Sequence, residues 1–508
     1  MYNYNNLANL FYDVVDLNKN KIALNYKNKK VNYDQLNKLS NKIANFFLSK
    51  GVKKNDVIAI FNTKEIFGYA SMLACLKIGV IYTNLDTENP IKRLKKIFEI
   101  SKPKLIVIDH KPNNKFNKLS KNLKYEFIFF SNHKFIKNFS HKNLIISKKI
   151  TGSNPAYIMF TSGSTGFPKG ALISHANILS FIRWSINNYD ITNKDIFAQV
   201  SPMYFDNSVF DFFTAFFSGA CLVPVNKKLI LNLSEFLNVI HKSRCSIFFC
   251  VPSFLIYLQK MKVLNKKTFT NVRSFIFGGE GFPKAELKKF YNIYCKQAKI
   301  INVYGPTETT CICSSYQISK KDFENMKILA PLGKINSNFD KIIVDENMNK
   351  VKKGMKGELC LIGPNVCLGY YNDSRKTNEN FIQNPNIKTY KDIIYKSGDI
   401  VYEKDEILYF VGRKDNQIKH MGHRIELEEI EAVLNSFKYI NQCAVVYKKE
   451  KINYGEIIAH VVSIKKILET RIKKDLEKHL PRYMIPNLIY IKKKLPKNRN
   501  GKIDRSKL

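Results

Sequence analysis

The chain has 508 residues, and its 83 Lys and Arg against 42 Asp and Glu give a formal net charge of +41. With 45% hydrophobic and 25% charged residues it lies in the globular range, which argues against wholesale disorder, collagen and coiled coil. At about 150 residues per domain, this length predicts two to four domains, each large enough for a core.

The positive charge alone suggests a nucleic acid or an anionic membrane as partner. However, 72 of the basic residues are Lys and only 11 are Arg, and the Lys are mixed with Asn and Ile along the whole chain. This distribution is typical of compositional bias, so we expect no nucleic-acid partner. The chain shows neither a run of about 18 apolar residues nor the basic start and apolar core of a signal peptide, which predicts a cytoplasmic protein without a membrane span.

The ten cysteines include no C-x-x-C pair, and the nine histidines include no H-E-x-x-H. This pattern indicates reduced, mostly buried thiols and argues against a zinc site or a disulfide framework.

Short apolar runs alternate with helix-length segments along most of the chain. Such alternation predicts an α/β fold with buried sheets. The Lys- and Asn-rich segment 110–150 shows little periodicity, and we expect it to be a peripheral, poorly packed excursion. The predicted strands lie at 57–61, 80–82, 105–108, 246–250 and 274–277, with a helix through 70–74.

The sequence pattern changes near residue 413. Downstream, an amphipathic helix at 426–434 precedes strands at 443–446 and 457–462, and a second helix is predicted over 466–480. The sequence therefore predicts a large N-terminal domain of α/β subdomains with buried sheets, residues 1–413. A small α+β C-terminal domain, residues 414–508, follows it.

Residues 161–170 read T-S-G-S-T-G-F-P-K-G and follow an apolar strand. Glycines let backbone N–H groups approach an anion, hydroxyls add donors and Lys169 adds charge, so the loop suits a phosphate group. It is not the nucleotide-binding G-x-x-x-x-G-K-[ST] loop, because Gly170 follows Lys169. On composition alone, a polar surface turn and a phosphate-binding loop are about equally good interpretations of this stretch.

This loop resembles the phosphate loop of the adenylate-forming superfamily, which includes acyl-CoA synthetases, luciferases and the adenylation domains of peptide synthetases. Further stretches resemble motifs of the same family, in the same order and over essentially the whole chain. These stretches are 31–36 (V-N-Y-D-Q-L), 76–82 (L-K-I-G-V-I-Y), 302–310 (N-V-Y-G-P-T-E-T-T), 357–371 (from G-E-L-C to G-Y-Y), 395–399 (Y-K-S-G-D), 412–419 (G-R-K-D-N-Q-I-K), 480–486 (L-P-R-Y-M-I-P) and 501–505 (G-K-I-D-R).

The resemblance implies attack of a carboxylate on the α-phosphate of ATP, with Mg²⁺, to give an acyl adenylate and pyrophosphate. Cationic groups and the metal would neutralise the developing charge. Glu308 is the expected Mg²⁺ ligand, with Thr307 beside it in the catalytic turn; without the flanking motif, an exposed loop carboxylate would be the simpler interpretation. The residues expected at the phosphates are Thr161, Ser162, Gly163, Ser164, Thr165 and Lys169.

The resemblance also assigns the nucleoside site. Tyr304, with Gly305 after it, would stack on adenine, and Asn302 would hydrogen-bond the adenine amino group. Gly279 and Glu280 would flank the other side of the base. Asp399 is expected to hold the ribose hydroxyls, with Arg413 nearby.

Lys502 is the expected catalytic lysine of adenylation. A lysine near the end of so basic a chain is ordinarily a solvated charge, but this one lies in a P-x-x-x-x-G-K-x-D-R pattern. A mobile small domain would deliver it to the substrate carboxylate and the α-phosphate, and then withdraw it for the second step. Asp415 is the expected hinge.

The stretch 205–211, F-D-N-S-V-F-D, resembles the F-D-x-S-x-x-D motif of members that activate amino acids. There the first Asp pairs with the substrate ammonium group, which favours an amino acid because a buried carboxylate facing an apolar chain is costly. The alternative is that Asp206 only caps the following helix. Alignment by motif predicts a pocket lined by Asp206, Asn207, Phe210, Phe249, Ile276, Gly278, Val303, Cys311 and Ile312.

This lining is apolar apart from Asp206 and one amide, and we expect Gly278 to leave some depth. It predicts a small or medium uncharged amino acid. Among stand-alone members the chain looks most like D-alanine–D-alanyl carrier protein ligases, although these carry Cys where this chain has Gly278. D-alanine is therefore a candidate.

The chain contains no L-G-G-x-S carrier attachment site, so the expected acceptor is the phosphopantetheine thiol of a separate carrier protein. Three other interpretations remain. An acyl-CoA synthetase is disfavoured by Asp206, and a non-catalytic nucleotide-binding relative would have to lack Lys169, Glu308 or Lys502. A nucleic-acid-binding protein is suggested by charge alone.

Overall fold

The computed structural model describes residues 5–26, 29–111, 113–131, 133–163, 167–448, 455–497 and 503–508. The chain divides into two compact units. The first contains Met1–Thr87, Lys102–Met159 and Gly170–Gly412, and the second contains Glu88–Ser101, Phe160–Lys169 and Arg413–Leu508. The domain boundary at 413/414 stays a prediction.

Strands occur throughout the chain. Their bounds are β1 Ile22–Tyr26, β2 Lys29–Asn32, β3 Val57–Phe61, β4 Ile81–Leu85, β5 Leu105–Ile108, β6 Glu126–Phe129, β7 Pro155–Thr161, β8 Lys169–Ser174, β9 Ile196–Gln199, β10 Cys221–Pro224, β11 Ile247–Cys250, β12 Ser274–Gly278, β13 Lys299–Tyr304, β14 Ser314–Gln317, β15 Lys334–Ile335, β16 Asp340–Val344, β17 Gly357–Ile362, β18 Phe381–Gln383, β19 Ile393–Lys404, β20 Ile407–Arg413, β21 Gln417–His420, β22 His423–Glu426, β23 Ile440–Lys448, β24 Glu456–Ser463 and β25 Leu488–Ile491.

Helices separate most of these strands. Their bounds are α1 Leu7–Asn18, α2 Tyr33–Ser49, α3 Ile66–Ile78, α4 Ile91–Ser101, α5 Asn114–Asn122, α6 His175–Asn188, α7 Asn207–Val209, α8 Ala215–Ser218, α9 Lys227–Leu231, α10 Leu233–Lys242, α11 Pro252–Lys260, α12 Lys284–Tyr294, α13 Ser374–Asn380, α14 Leu427–Asn435 and α15 Glu469–Leu476. A π-helical stretch, Phe210–Thr214, joins α7 to α8.

The first unit contains a nine-stranded sheet in the order β15-β14-β13-β12-β11-β9-β10-β1-β2. Its central strands, from β13 to β1, are all parallel. They are short runs of β-branched and aromatic residues, and β11 and β12 are buried along their whole length, as a parallel sheet covered on both faces requires. The mixed α/β fold with several sheets confirms the predicted fold class.

A second sheet in this unit has the order β6-β5-β3-β4-β7-β8. It corrects the expectation for 110–150: β6 pairs in parallel with β5, and Phe116, Leu119 and Phe130 are buried. Residues 110–150 thus contribute a strand and core side chains. Lys and Asn residues, which lie mostly on the surface, separate these apolar positions. For this reason the apolar periodicity of the segment was not recognised in the sequence. A five-stranded sheet of β16–β20 completes the unit.

In the second unit, β23, β24 and β25 form a three-stranded sheet. Apolar residues of α14 and α15, among them Ile430 and Ile472, pack with Val461 in a core of their own. The last predicted helix is shorter than expected, Glu469–Leu476, because extended Leu468 precedes it. All ten cysteines are free and eight are buried. Among the described residues, no helix has both the length and the apolar character needed to cross a bilayer.

Candidate active site

The candidate substrate site lies at the carboxyl edge of the parallel strands in the nine-stranded sheet. Strand β9 is followed in the chain by β10 on one side, and the chain then returns to β11 on the other side. Ligands of α/β sheets bind outside the carboxyl ends of strands at such a reversal. The segment after β9 carries Asp206 and Asn207, and β11, β12 and β13 end near Phe249, Gly278 and Tyr304.

Asp206 makes a contact within this site instead of capping a helix. It precedes α7 in a helical conformation and makes no side-chain capping hydrogen bond. The Thr307 hydroxyl instead donates to Asp206 Oδ2 at 2.5 Å, across 101 residues of chain. The structure therefore brings together two residues that the sequence placed in separate motifs, and it disfavours the capping interpretation.

The apolar side chains predicted to line the pocket are buried, and Cys311 lies within electrostatic reach of Asp206. The rings of Phe210 and Phe249 meet edge to face with centroids 5.4 Å apart, and burial raises the pKa of the Cys311 thiol. Because that thiol stays protonated at neutral pH, Cys311 is an apolar wall and not a nucleophile. Ile276, Val303 and Ile312 are also buried.

Gly278 does not leave the depth that we expected. A Cβ at this position would lie 2.5 Å from the Val303 carbonyl oxygen and 2.7 Å from Val303 Cγ2. The glycine therefore allows β12 and β13 to approach each other closely, and Val303 already occupies the space. The space that a side chain at position 278 would need is thus filled by the packing of the sheet.

The predicted adenine and ribose residues contact each other. The Tyr304 hydroxyl donates to Asp399 Oδ2 at 2.5 Å, and both side chains are buried. Burial, and then the Asp399 charge, raise the pKa of Tyr304, so it remains a donor. The Asn302 amide nitrogen donates to the Pro331 carbonyl at 2.7 Å. The amide nitrogen of Asn302 is therefore used within the protein. The hydrogen bond to an adenine amino group stays a prediction, and it would have to be accepted by Asn302 Oδ1.

Backbone conformation requires glycine at position 279, and close packing requires it at position 305. Gly279 has a φ of +91°, which favours glycine, and Gly305 approaches the Cys311 carbonyl so closely that a Cβ would lie 2.1 Å from its oxygen. Glu280, after Gly279, accepts a hydrogen bond from the Ser253 backbone N–H at 2.7 Å.

Glu308 is fully buried, which excludes the exposed-loop alternative. Its Oε1 accepts a hydrogen bond from the Tyr370 hydroxyl at 2.7 Å, and its carbonyl accepts one from the Cys367 N–H. Among the described residues no three His, Cys, Asp or Glu side chains cluster to hold a metal. One buried carboxylate still suits Mg²⁺, which takes one or two protein oxygens and completes its shell with phosphates and water.

The phosphate loop belongs to the second unit, where carboxylates contact it. Lys169 Nζ lies 3.3 Å from Glu426 Oε1, and the Gly163 N–H donates to Glu429 Oε2 at 3.3 Å. The Ser162 hydroxyl donates to the Arg424 carbonyl at 2.7 Å. The groups predicted to hold phosphates thus bind anionic and carbonyl oxygens here, as the chemistry of the loop requires.

Thr161 ends β7, and its hydroxyl lies 3.4 Å from the Lys169 carbonyl oxygen. Asp415, the predicted hinge, pairs with Arg413 through hydrogen bonds of 2.9 and 2.6 Å. Burial opposes ionisation of Asp415, but the hydrogen bonds and charge of Arg413 outweigh it and lower the Asp415 pKa. Three predicted residues, Ser164, Thr165 and Lys502, lie outside the described residues.

Sequence reasoning missed several contacts. Tyr370 lies inside a recognised motif, and Glu426 and Glu429 lie in the predicted amphipathic helix 426–434, but none of the three received a role. The dense run of Glu after the predicted hinge was a visible signal. Lys64 is buried, and its ammonium donates to the Gln199, Val200 and Val225 carbonyls at 2.9, 2.9 and 2.6 Å. Burial lowers the pKa of Lys64 to about 7. No motif indicated this contact with the carboxyl ends of β9 and β10.

A parallel sheet with polar residues at its carboxyl edge and a separate phosphate-type loop define a nucleotide-binding α/β enzyme. The model of the AMP-binding enzyme family matches residues 11–371, and that of the AMP-binding enzyme C-terminal domain matches 429–502. The chain belongs to the AMP-binding enzyme family, and its curated relatives include a ligase. The expected family and enzyme class are thereby confirmed.

Three relatives illustrate the breadth of this family. Gramicidin S synthase 1 of Brevibacillus brevis is 31% identical over 98% of this chain, which spans only 44% of that protein. D-alanine–D-alanyl carrier protein ligase of Bacillus cytotoxicus is 30% identical over 96% of this chain and 95% of its own length. A double mutant of o-succinylbenzoate CoA synthetase from Bacillus subtilis, 22% identical, superposes with a TM-score of 0.85 over 98% of each chain, which shows a shared fold.

Proposed function

We propose that the protein activates a small or medium uncharged amino acid as its adenylate and transfers the aminoacyl group to a separate carrier protein. The observation that carries this proposal is Asp206. Its side chain lies at the carboxyl edge of the sheet, is only partly buried, and accepts a hydrogen bond from the Thr307 hydroxyl. The apolar residues predicted to line the same pocket are buried. A carboxylate in such a setting is stabilised by a cationic partner, and the ammonium group of an amino acid is one.

In the first step, a carboxylate oxygen of the amino acid attacks the α-phosphorus of ATP. The bond between the α-phosphorus and the bridging oxygen breaks, and pyrophosphate leaves with that electron pair. Tyr304 and Asp399 hold the nucleoside, and Lys169 with the loop hydroxyls binds the departing phosphates. Glu308 would hold Mg²⁺, which would neutralise part of the phosphate charge. Lys502, assigned by its motif, neutralises the charge developing at the attacked phosphate.

In the second step, the thiol of a phosphopantetheine arm attacks the adenylate carbonyl. A thioester forms, the bond to AMP breaks, AMP takes up the electron pair and the thiol proton is released. The similarity to a D-alanine–D-alanyl carrier protein ligase over nearly the full length of both chains supports a carrier protein as the acceptor. D-alanine is one candidate substrate.

The test is exchange of labelled pyrophosphate into ATP with each L- and D-amino acid. We expect stimulation by a small set of uncharged amino acids. Stimulation by simple carboxylic acids and by no amino acid would identify an acyl-CoA synthetase and overturn the proposal. Lys502→Ala should abolish exchange while ATP binding survives.

Asp206→Asn tests the ammonium site, since it keeps an oxygen for Thr307 but removes the charge. The cost of about 3–5 kcal/mol for breaking a fully buried charge pair is an upper bound for the partly buried Asp206, so kcat/KM for the amino acid should fall by about 10²- to 10³-fold. The Kd for ATP should stay within about twofold, since no nucleotide contact is removed. Asp190→Asn is the control, because Asp190 is 73% exposed and pairs only across the surface with Lys299. Equal losses in amino-acid use and ATP binding would contradict the assignment.

A further inference from the structure

Asn207 has a buried side-chain nitrogen that is left without an acceptor in the part of the chain that the structure describes. The residue is 8% exposed, and its Nδ2 finds no hydrogen-bond acceptor among the described residues. It begins α7, directly after Asp206. An amide donor left without an acceptor in such a place costs free energy, and proteins rarely retain one without a reason.

Other buried asparagines of the first unit show what is normal in this fold. The Nδ2 of Asn302 donates to Pro331, that of Asn336 to Ile312, and that of Asn365 to Asn177, each to a backbone oxygen. No other buried asparagine nitrogen in the described part of the chain lacks an acceptor. Asn207 is therefore an exception, and it lies in the predicted substrate pocket.

The amide nitrogen faces the end of β12. A Cβ built on Gly279 would lie 4.0 Å from Asn207 Nδ2 and 3.5 Å from Val251 Cγ1, which are ordinary contact distances. Space for a small group therefore remains between the Asn207 amide and the Gly279 backbone. Asp206, the proposed ammonium ligand, is the adjacent residue, so an acceptor for the amide would lie near the α-carbon of a bound amino acid.

We propose that Asn207 donates a hydrogen bond to an uncharged oxygen on a short substrate side chain. The enzyme then selects a hydroxyl- or amide-bearing amino acid over its apolar isostere. This rests on the proposed function and, within it, disfavours D-alanine, whose side chain carries no oxygen. The predicted lining around the amide, including Phe210, Phe249 and Ile276, is apolar and buried. Apart from Asp206, the Asn207 amide is the polar side chain of the predicted lining, and an amide donor suits a neutral acceptor oxygen.

The substrate carboxylate is the competing acceptor, since every amino acid carries one. The two cases differ in what a variant without the donor would do. A contact with the side chain discriminates between substrates, whereas a contact with the carboxylate supports all of them equally. Isosteric substrate pairs separate these cases.

The experiment measures amino-acid-dependent pyrophosphate exchange with threonine and valine, asparagine and leucine, and serine and 2-aminobutyrate, in both enantiomers. For the pair of the right size, we expect the oxygen-bearing member to have at least about tenfold higher kcat/KM, because an unpaired site donor penalises the apolar member. Asn207→Leu, similar in size, should reduce the ratio to about twofold or less, with the melting temperature and ATP affinity as folding checks.

Asn207→Asp exchanges the donor for an acceptor and provides a second, independent readout. It should shift preference toward a side chain that donates, such as that of 2,3-diaminopropionate. If the unmodified enzyme uses the apolar member of every pair as well as its oxygen-bearing partner, the role assigned to Asn207 is overturned while the proposed function stands. Equal loss for both members in Asn207→Leu would overturn it in favour of the carboxylate. No exchange with any amino acid would overturn the proposed function, and the assignment with it.

Discussion

Glu426→Gln should tighten ATP binding. In the second unit, Lys169 Nζ lies 3.3 Å from Glu426 Oε1, with side chains only 12% and 5% exposed. If Lys169 binds ATP phosphates as proposed, the Glu426 carboxylate competes with them for the same ammonium group. The substitution removes the charge and keeps an oxygen, so the hydrogen bond that Gln417 Nε2 donates to Glu426 Oε1 at 2.6 Å can persist.

The size of the effect follows from this geometry. At an effective dielectric constant of about 20, unit charges 3.3 Å apart attract by about 5 kcal/mol before desolvation is subtracted. Hydrogen bonds to charged groups contribute about 1.5–3 kcal/mol net, and a neutral amide retains part of this. A loss of about 1–2 kcal/mol in the competing pair allows the apparent Kd for ATP to fall by about 5- to 30-fold.

Isothermal titration calorimetry with ATP and with adenosine measures this effect. Adenosine has no phosphates, so its affinity should be the same in Glu426→Gln and the unmodified protein. Glu406→Gln is the matched control: Glu406 pairs with Lys334 at 2.8 Å, but the side chains are 71% and 64% exposed, and such pairs contribute little. Unchanged ATP affinity in Glu426→Gln, or an equal gain for adenosine, would refute the competition.

Three further predictions concern single contacts. Tyr370→Phe deletes the hydroxyl that donates to the carboxylate of Glu308, the proposed Mg²⁺ ligand. The free energy of unfolding in denaturant titration should fall by about 2 kcal/mol, and pyrophosphate exchange should slow. An unchanged exchange rate would exclude a catalytic contribution of this hydroxyl. Gly278→Ala places a Cβ 2.5 Å from the Val303 carbonyl and should cost about 1–3 kcal/mol, whereas Gly412→Ala, with no atom within 4 Å, should melt like the unmodified protein. Burial lowers the pKa of His175 from 6.5 to about 3, so the unfolded chain takes up a proton at a higher pH than the folded protein does. The free energy of unfolding should therefore fall as the pH drops from about 6.5 to 3, by up to about 1.4 kcal/mol per pH unit. His175→Asn should flatten this part of a urea-denaturation pH series, and an unchanged slope would contradict the assignment.

The pairing of Asp206 with Thr307 shows what the sequence could not provide. Each residue was assigned from its own motif, but the motifs lie 101 residues apart and only the fold brings them into contact. The same holds for Tyr304 with Asp399. The local sequence is the same for an Asp that caps a helix and for one at a substrate site, so only the position of the side chain in the fold could disfavour capping.

The sequence by itself determined the family, the α/β class and the position of seven of the strands, because motifs and apolar runs are contiguous in the chain. Strands predicted at 57–61 and 105–108 have those bounds in the structure. The tertiary structure alone decided that residues 110–150 contribute to a core, that Val303 fills the space beside Gly278, and that the Asn207 amide lacks an acceptor. Burial and hydrogen bonding depend on neighbours distant in sequence, and no local pattern encodes which neighbours those are.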